Sequence, residues 1–252
     1  MGLSAARVFV EEGAKVVVAG RVRDAVERAS RLLGSQAIAI CADPSDPTTA
    51  TRAVAQAVNA FGKLDGLYHA VGATGRKMGD GPLHELSDTA WRIVLNWNLN
   101  AAMYSNRAAI RQFLHQHTGG SILNLGSVCG LAASQGQFIT HAYAVAESAV
   151  IGLSKSLAAY YADRSIRVNV LAPGFIEQPA SARDSGLLES DGEEATHFVQ
   201  TKQPLDGGRF GKPGDYDAAA VYFMSDGSRF TTAQVLSVDG GWSVSEGQYD
   251  TG

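Results

Sequence analysis

The sequence predicts an α/β sandwich: a doubly wound parallel sheet with helices on both faces, three layers in all. Three observations predict it. Short apolar runs alternate with helix-like stretches along the whole chain. The runs are rich in β-branched residues and apolar on both faces, as strands are when helices cover a sheet above and below. Glycines and polar residues follow the runs, where ligands of open parallel sheets sit.

Taken in order, a helix-like stretch near 3–12 precedes the strand "KVVVA" (15–19). A helix near 23–33 leads to "AIAIC" (37–41), and one near 47–61 leads to "GLYHAV" (66–71). A long helical stretch over 87–117 is followed by "SILNLG" (121–126). A helix over 142–163 feeds "RVNVLA" (167–172), and one near 215–225 feeds "QVLSVD" (234–239). No repeat, low-complexity tract or linker divides the chain, so residues 1–252 are expected to form one domain. The segment 175–213 breaks the alternation. It is long and polar, acidic around "LLESDGEEA", and follows a strand, which suits a substrate lid; a disordered surface insertion is the plainer alternative.

Bulk properties narrow the function. The chain has 252 residues, 45% of them hydrophobic, and a net charge of -4. An acidic balance, with a pI near 5.8, speaks against nucleic acid or an anionic membrane as partner. Cys41 and Cys129 are too few for a disulfide framework and lack metal-ligand spacing, so no metal site is expected. The start "MGLSAARVFVEEGAKVVV" places acids where a signal peptide needs an apolar core. Ala6 stands where myristoylation wants Ser or Thr, and no run of about 18 apolar residues exists to cross a bilayer. A soluble, cytoplasmic protein is the expectation.

The residues at the carboxyl ends of the strands are Gly20-Arg21, Asp43, Gly72, Ser127 and Pro173-Gly174. Beside them, "HAYAVAESAVIGL" opens a helix with Tyr143 and Glu147 one turn apart. A tyrosine with a partner four residues on suits proton transfer, yet the partner is an acid where that chemistry wants a cation. His141 invites a Ser127–His141–acid triad, but "LGSVCG" lacks the glycine spacing of a nucleophile elbow.

"GGSILNLGSVCG", "AYAVAESAVIGL" and "IRVNVLAPGFI", with "WRIVLNWNL" and "VLSVDGGW", occur in an order that resembles the short-chain dehydrogenase/reductase family. The resemblance covers nearly the whole chain. It implies a Rossmann-like fold, an NAD(P)(H) cofactor, a small-molecule alcohol or carbonyl substrate, and a homodimer or homotetramer. It implies that Ser127 hydrogen-bonds the substrate oxygen, that Tyr143 is the general acid/base, and that Asn98 holds a proton-relay water. Asp43 would contact the adenine, and Arg21, with no acid beside it for a free ribose hydroxyl, could meet a 2'-phosphate, which favours NADP over NAD; an ordinary surface arginine is the alternative. Gly72 closes the equivalent of "NNAG", and Pro173, Gly174 and Ile176 would lie against the nicotinamide.

The chain departs from that family pattern in several places. The family opens with a strand and a TGxxxG[IM]G turn, of which this chain carries only Met1 and Gly2 at the last two positions. Gly2 is therefore the remaining cofactor-turn residue. The expectation is a start assigned too far downstream or a truncated gene, and a sheet without its first, central strand. The family's YxxxK reads Tyr143-Ala-Val-Ala-Glu147, and a carboxylate disfavours tyrosinate where a lysine favours it. At about 5 Å and an effective dielectric near 20, one charge contributes roughly 3 kcal/mol, or about two pKa units. Lys155 cannot substitute, since it lies about 12 Å along the helix from position 147. Gln178 stands where the family commonly has a threonine, and "HAVG" replaces "NNAG".

The expected function is thus NAD(P)(H)-dependent alcohol/carbonyl interconversion, weakened by Glu147 and the short N-terminus. The alternatives are a catalytically silent scaffold, with Ala149, Val150, Leu153 and Leu157 on a partner-facing helix, and non-redox chemistry at Ser127 and Tyr143.

Overall fold

The computed structural model describes residues 1–132, 139–177 and 193–246. Gln178 and most of the acidic stretch "LLESDGEEA" lie outside the described residues. The elements run α1 (Gly2–Glu11), β1 (Val16–Gly20), α2 (Arg23–Leu33), β2 (Ala37–Cys41), α3 (Pro47–Phe61) and β3 (Gly66–His69). They continue with α4 (Asp88–Leu95), α5 (Ala101–Gln116), β4 (Gly120–Leu125), α6 (His141–Tyr161), β5 (Ile166–Pro173), α7 (Glu193–Lys202), α8 (Asp217–Met224) and β6 (Val235–Val238).

All the strand pairs are parallel, and the strands form two sheets, β1-β2 and β3-β4-β5-β6. Among the described residues no ladder joins β1 to β3. Burial follows this division. The β4 and β5 residues are almost all buried, whereas β1, β2 and most of β3 are half-buried.

Neighbouring residues of one strand serve opposite faces, as the two-residue period requires. Ile122 of β4 packs with Val168 and Ile166 of β5 against Ala109, Ile110 and Phe113 of α5 and Ala158 of α6. Leu123, the next residue, joins Leu171 of β5 on the other face, against Ala5 of α1 and Tyr216, Ala220 and Phe223 around α8. That is the three-layer, doubly wound arrangement the apolar runs required. Each of the fully buried Phe113, Ile122 and Leu171 side chains contributes about 2–3 kcal/mol of hydrophobic stabilisation.

Local signals set several boundaries. Helix α3 starts where Asp46 accepts a hydrogen bond from the Thr48 N–H at 2.8 Å, with Pro47 in the first turn, and stops at Gly62 with φ 86°. The helical stretch expected over 87–117 is divided: α4 passes through a π-helical turn, Asn96–Asn100, into α5. The cause is Asn98, whose carboxamide donates to the Val94 carbonyl at 2.8 Å and so competes with the backbone ladder. The expected lid segment also holds regular structure: α7, and a bridge between Ile176 and Gly211. Phe175, Val199 and Trp242 form a small core of their own there with Val128, and Phe198 packs against it. So few apolar residues in a polar stretch left no helical period to read.

Candidate active site

The carboxyl ends of β3, β4 and β5 open on a pocket of about 170 Å³. Gly72 walls it beyond β3, Ser127 beyond β4, and Pro173, Gly174 and Ile176 at and beyond the end of β5. Tyr143 and Glu147 reach it from α6, and Met1, ahead of α1, reaches it from the other side. Of the residues singled out in the sequence, the pocket therefore gathers Gly72, Ser127, Tyr143, Glu147, Pro173, Gly174 and Ile176.

Ser127 arrives by a close approach of two backbones. A Cβ on Gly130 would fall 2.8 Å from the Ser148 nitrogen, so only glycine lets the turn after β4 lie flat on α6. The Ser148 hydroxyl ties it there by donating to the Gly130 carbonyl at 2.9 Å. Ser127 Oγ accepts the Cys129 N–H at 3.2 Å, which leaves its proton to donate. It is hydrogen-bonded to Tyr143.

Enclosure raises the Tyr143 phenol well above its usual range; Glu147 and Cys129 add to this, and the Ser127 hydrogen bond opposes it. Glu147 is 3% exposed, and burial pushes its carboxyl up to about 8. Its Oε2 has no hydrogen-bond partner. At neutral pH the site therefore holds three hydroxyl-type groups (serine, phenol and carboxylic acid) and a buried carboxyl oxygen with nothing to bond.

Other expected residues lie outside the pocket wall. Asn98 is buried, and its carboxamide brackets Ala73: Oδ1 accepts the Ala73 N–H at 2.9 Å and Nδ2 donates to the Ala73 carbonyl at 3.0 Å. It props the segment after Gly72, where a Cβ would come 2.7 Å from its Oδ1. Arg21 is exposed and stacks over the Trp97 ring at 5.6 Å. Asp43, also exposed, accepts from the Ser45 N–H and hydroxyl, which hold its carboxyl below the usual range. Gly2 opens α1 against Ala70. His141 is exposed at the start of α6 and does not line the pocket, so no serine–histidine couple is assembled; Lys155 is exposed as well. Val150 is buried, and the half-buried Leu157 packs against the core of the chain's own sheet.

The sequence reading missed the groups that hold this geometry. Gln203, 2% exposed, accepts the Phe175 N–H and donates to the Phe175 and Arg209 carbonyls, both at 3.2 Å, so it fixes the chain just after Gly174. Behind the pocket, Asn124 and Asn106 exchange hydrogen bonds of 3.0 and 2.7 Å, and Asn124 donates to Ser154 at 2.9 Å, tying β4 to α5 and α6. A polar residue inside an apolar run was the available signal for Asn124.

The family model described as enoyl-(acyl carrier protein) reductase matches residues 1–243. The chain belongs to the short-chain dehydrogenase/reductases. This is a family of oxidoreductases that use NAD(P) cofactors on small-molecule substrates. The chain is 33% identical to an inactive 2-(S)-hydroxypropyl-CoM dehydrogenase 2 of Xanthobacter autotrophicus, over 95% of this chain and 99% of that one. It is 32% identical to an NADP-dependent (R)-specific alcohol dehydrogenase of Lentilactobacillus kefiri, over 97% and 92%. A short-chain type dehydrogenase/reductase structure from Mycobacterium ulcerans superposes with a TM-score of 0.82 at 27% identity, covering 97% of this chain and 86% of that one. Among the described residues no helix is long and apolar enough to cross a membrane, and no cluster of His, Cys, Asp or Glu could hold a metal.

Proposed function

We propose that this chain reduces a small carbonyl compound with a nicotinamide dinucleotide and works poorly in the oxidative direction. The observation that carries this is the Ser127–Tyr143 pair in one pocket beside a carboxyl held neutral at pH 7. The pocket's room suits one flat ring between Gly72 on one side and Pro173 to Ile176 on the other, and the unpartnered Glu147 Oε2 offers a bond to a ribose hydroxyl. When bound, the cofactor supplies the hydride.

The chain's own groups do the rest. Ser127 donates to the carbonyl oxygen. Tyr143, kept protonated by its surroundings, gives that oxygen its proton as general acid. Glu147, while protonated, leaves the phenolate that forms unopposed; once ionised, it works against that phenolate. Asn98 holds the Ala73 segment in place, and a relay water on its carboxamide is part of this proposal. Arg21 over Trp97 and the NADP-dependent relative support NADP over NAD, with Asp43 beside the adenine and Gly2 at the phosphates. The 175–213 segment is proposed as the substrate lid of a single domain, and the chain as a cytoplasmic homodimer or homotetramer. The exposed Val145 and Tyr160 of α6 support the latter.

The test is carbonyl reduction by the full chain with NADPH or NADH near pH 6.5, against Tyr143→Phe. Losing the proton donor costs about 10²- to 10⁴-fold in turnover. Turnover unaffected by Tyr143→Phe, or no binding of either nucleotide, overturns the proposal. A second reading, a catalytically silent subunit, is favoured by Glu147 in the lysine's place and by an inactive relative. Robust turnover by the isolated chain removes it.

A further inference from the structure

The first turn of every helix leaves N–H groups without intrahelical partners, and they need a cap. In α6 the residue ahead of the helix, Thr140, makes no side-chain cap. The cap comes instead from a loop some sixty residues upstream. Gly81 offers its carbonyl to the His141 N–H at 3.4 Å. The Asp80 carboxylate then spans the next two: Oδ1 accepts from Ala142 at 2.9 Å, and Oδ2 accepts from the N–H of Tyr143 itself at 3.0 Å. Asp80 is 5% exposed and does not line the pocket.

The loop that carries Asp80 is itself tightly held. Its near end, Ala73, is the residue bracketed by the Asn98 carboxamide. Its middle closes on Gly75, whose carbonyl accepts from Met78 at 2.7 Å and from Asp80 at 3.0 Å. Any Cβ on Gly75 would run into Val94 of α4, 2.1 Å away, so the turn is wedged against that helix. One short, stiff segment thus starts on Asn98 and ends on the backbone of Tyr143.

We propose that Asp80 is a positioning residue: its carboxylate, clamped on the Ala142 and Tyr143 N–H groups, sets where the Tyr143 hydroxyl stands relative to Ser127 and to the floor of the pocket. A negative charge suits the site because the first turn of a helix is its positive end. The proposal deepens the carbonyl-reductase reading and rests on it for its kinetic consequence.

The experiment compares Asp80→Ala and Asp80→Asn with Asp46→Ala, which removes a similar helix cap, from α3, at a residue that does not line the pocket. Three quantities are read: amide exchange at 142–143, kcat against KM for a small ketone with NADPH, and melting temperature. A displaced reacting group costs on the order of 10²-fold, so Asp80→Ala is expected to lower kcat by about that factor with KM little changed. Asp80→Asn, which keeps an acceptor oxygen, recovers about a tenth or more of wild-type kcat by retaining one of the two hydrogen bonds. Asp46→Ala lowers the melting temperature and leaves kcat alone.

A kcat for Asp80→Ala that matches Asp46→Ala in the folded protein overturns the proposal, as does an asparagine variant no better than alanine. If Asp80→Ala does not fold, Asp80→Asn decides: lowered kcat at unchanged KM supports the role, and wild-type kcat ends it. Should wild type itself show no turnover, the carbonyl-reductase reading fails, and exchange at 142–143 decides for Asp80. Faster exchange in the Asp80 variants than in Asp46→Ala upholds the clamp, and unchanged exchange refutes it.

Discussion

Replacing Glu147 by glutamine should stabilise the protein above neutral pH and not below about pH 4.5. Burial raises the carboxyl from 4.5 to about 8. Between those values the unfolded chain has released a proton that the folded chain keeps, so stability falls as pH rises through the window and levels off above it. Each pH unit carries 1.36 kcal/mol, and the window of about 3.5 units gives a loss of about 5 kcal/mol. That is comparable with the whole stability of many domains. Glutamine has the same shape and no proton to lose; its buried amide N–H groups lack a partner much as the acid's Oε2 does, at about 1 kcal/mol. Urea unfolding of both proteins from pH 4 to pH 9 measures the difference directly. The variant should match or slightly trail wild type at pH 4 and lead it by several kcal/mol at pH 8.5. A difference that stays flat across this range would show that the carboxyl is solvated or paired, and the account of the pocket's charge would fall with it.

Glu147→Lys should raise alcohol oxidation by up to about 10²-fold near pH 9, because one charge at about 5 Å moves the phenol by about two pKa units; an unchanged or lower rate counts against the role given to Glu147. Wild-type carbonyl reduction should decline as pH rises through about 8, the Glu147 value, and Glu147→Gln should remove that limb of the pH profile. His69 is buried with an unpartnered Nε2, and burial lowers it from 6.5 to about 4. Its contribution is present above 6.5 and lost as pH falls through 4, so acid should cost about 3 kcal/mol that His69→Gln does not lose, as read by urea titration. Amide exchange should find β1 and β2 markedly less protected than β4 and β5, since a half-buried pair of strands opens more readily than a covered sheet; equal protection would mean that the two sheets act as one.

The sequence by itself determined the layers and their order. Strand β2 and helices α2 and α3 occupy the stretches read from the sequence residue for residue, because apolar periods and helix ends are local signals that each segment carries alone. It also singled out Ser127, Tyr143 and Glu147, since motif spacing on a known order of strands and helices places residues at the carboxyl rim of the sheet. It did not reveal α7, whose few apolar residues find their partners, Phe175 and Trp242, in distant parts of the chain. Nor did it settle whether the strands form one sheet or two, because pairing depends on which edges meet. The charge state of the site was equally out of reach. Glu147 is an ordinary acid until α6, the turn at Gly130 and the chain after Gly72 close around it, and water's absence, which no neighbour in sequence dictates, makes it hold its proton. Asp80, Gln203 and Asn124 act through bonds that reach up to 63 residues along the chain, so only the folded chain shows what they hold.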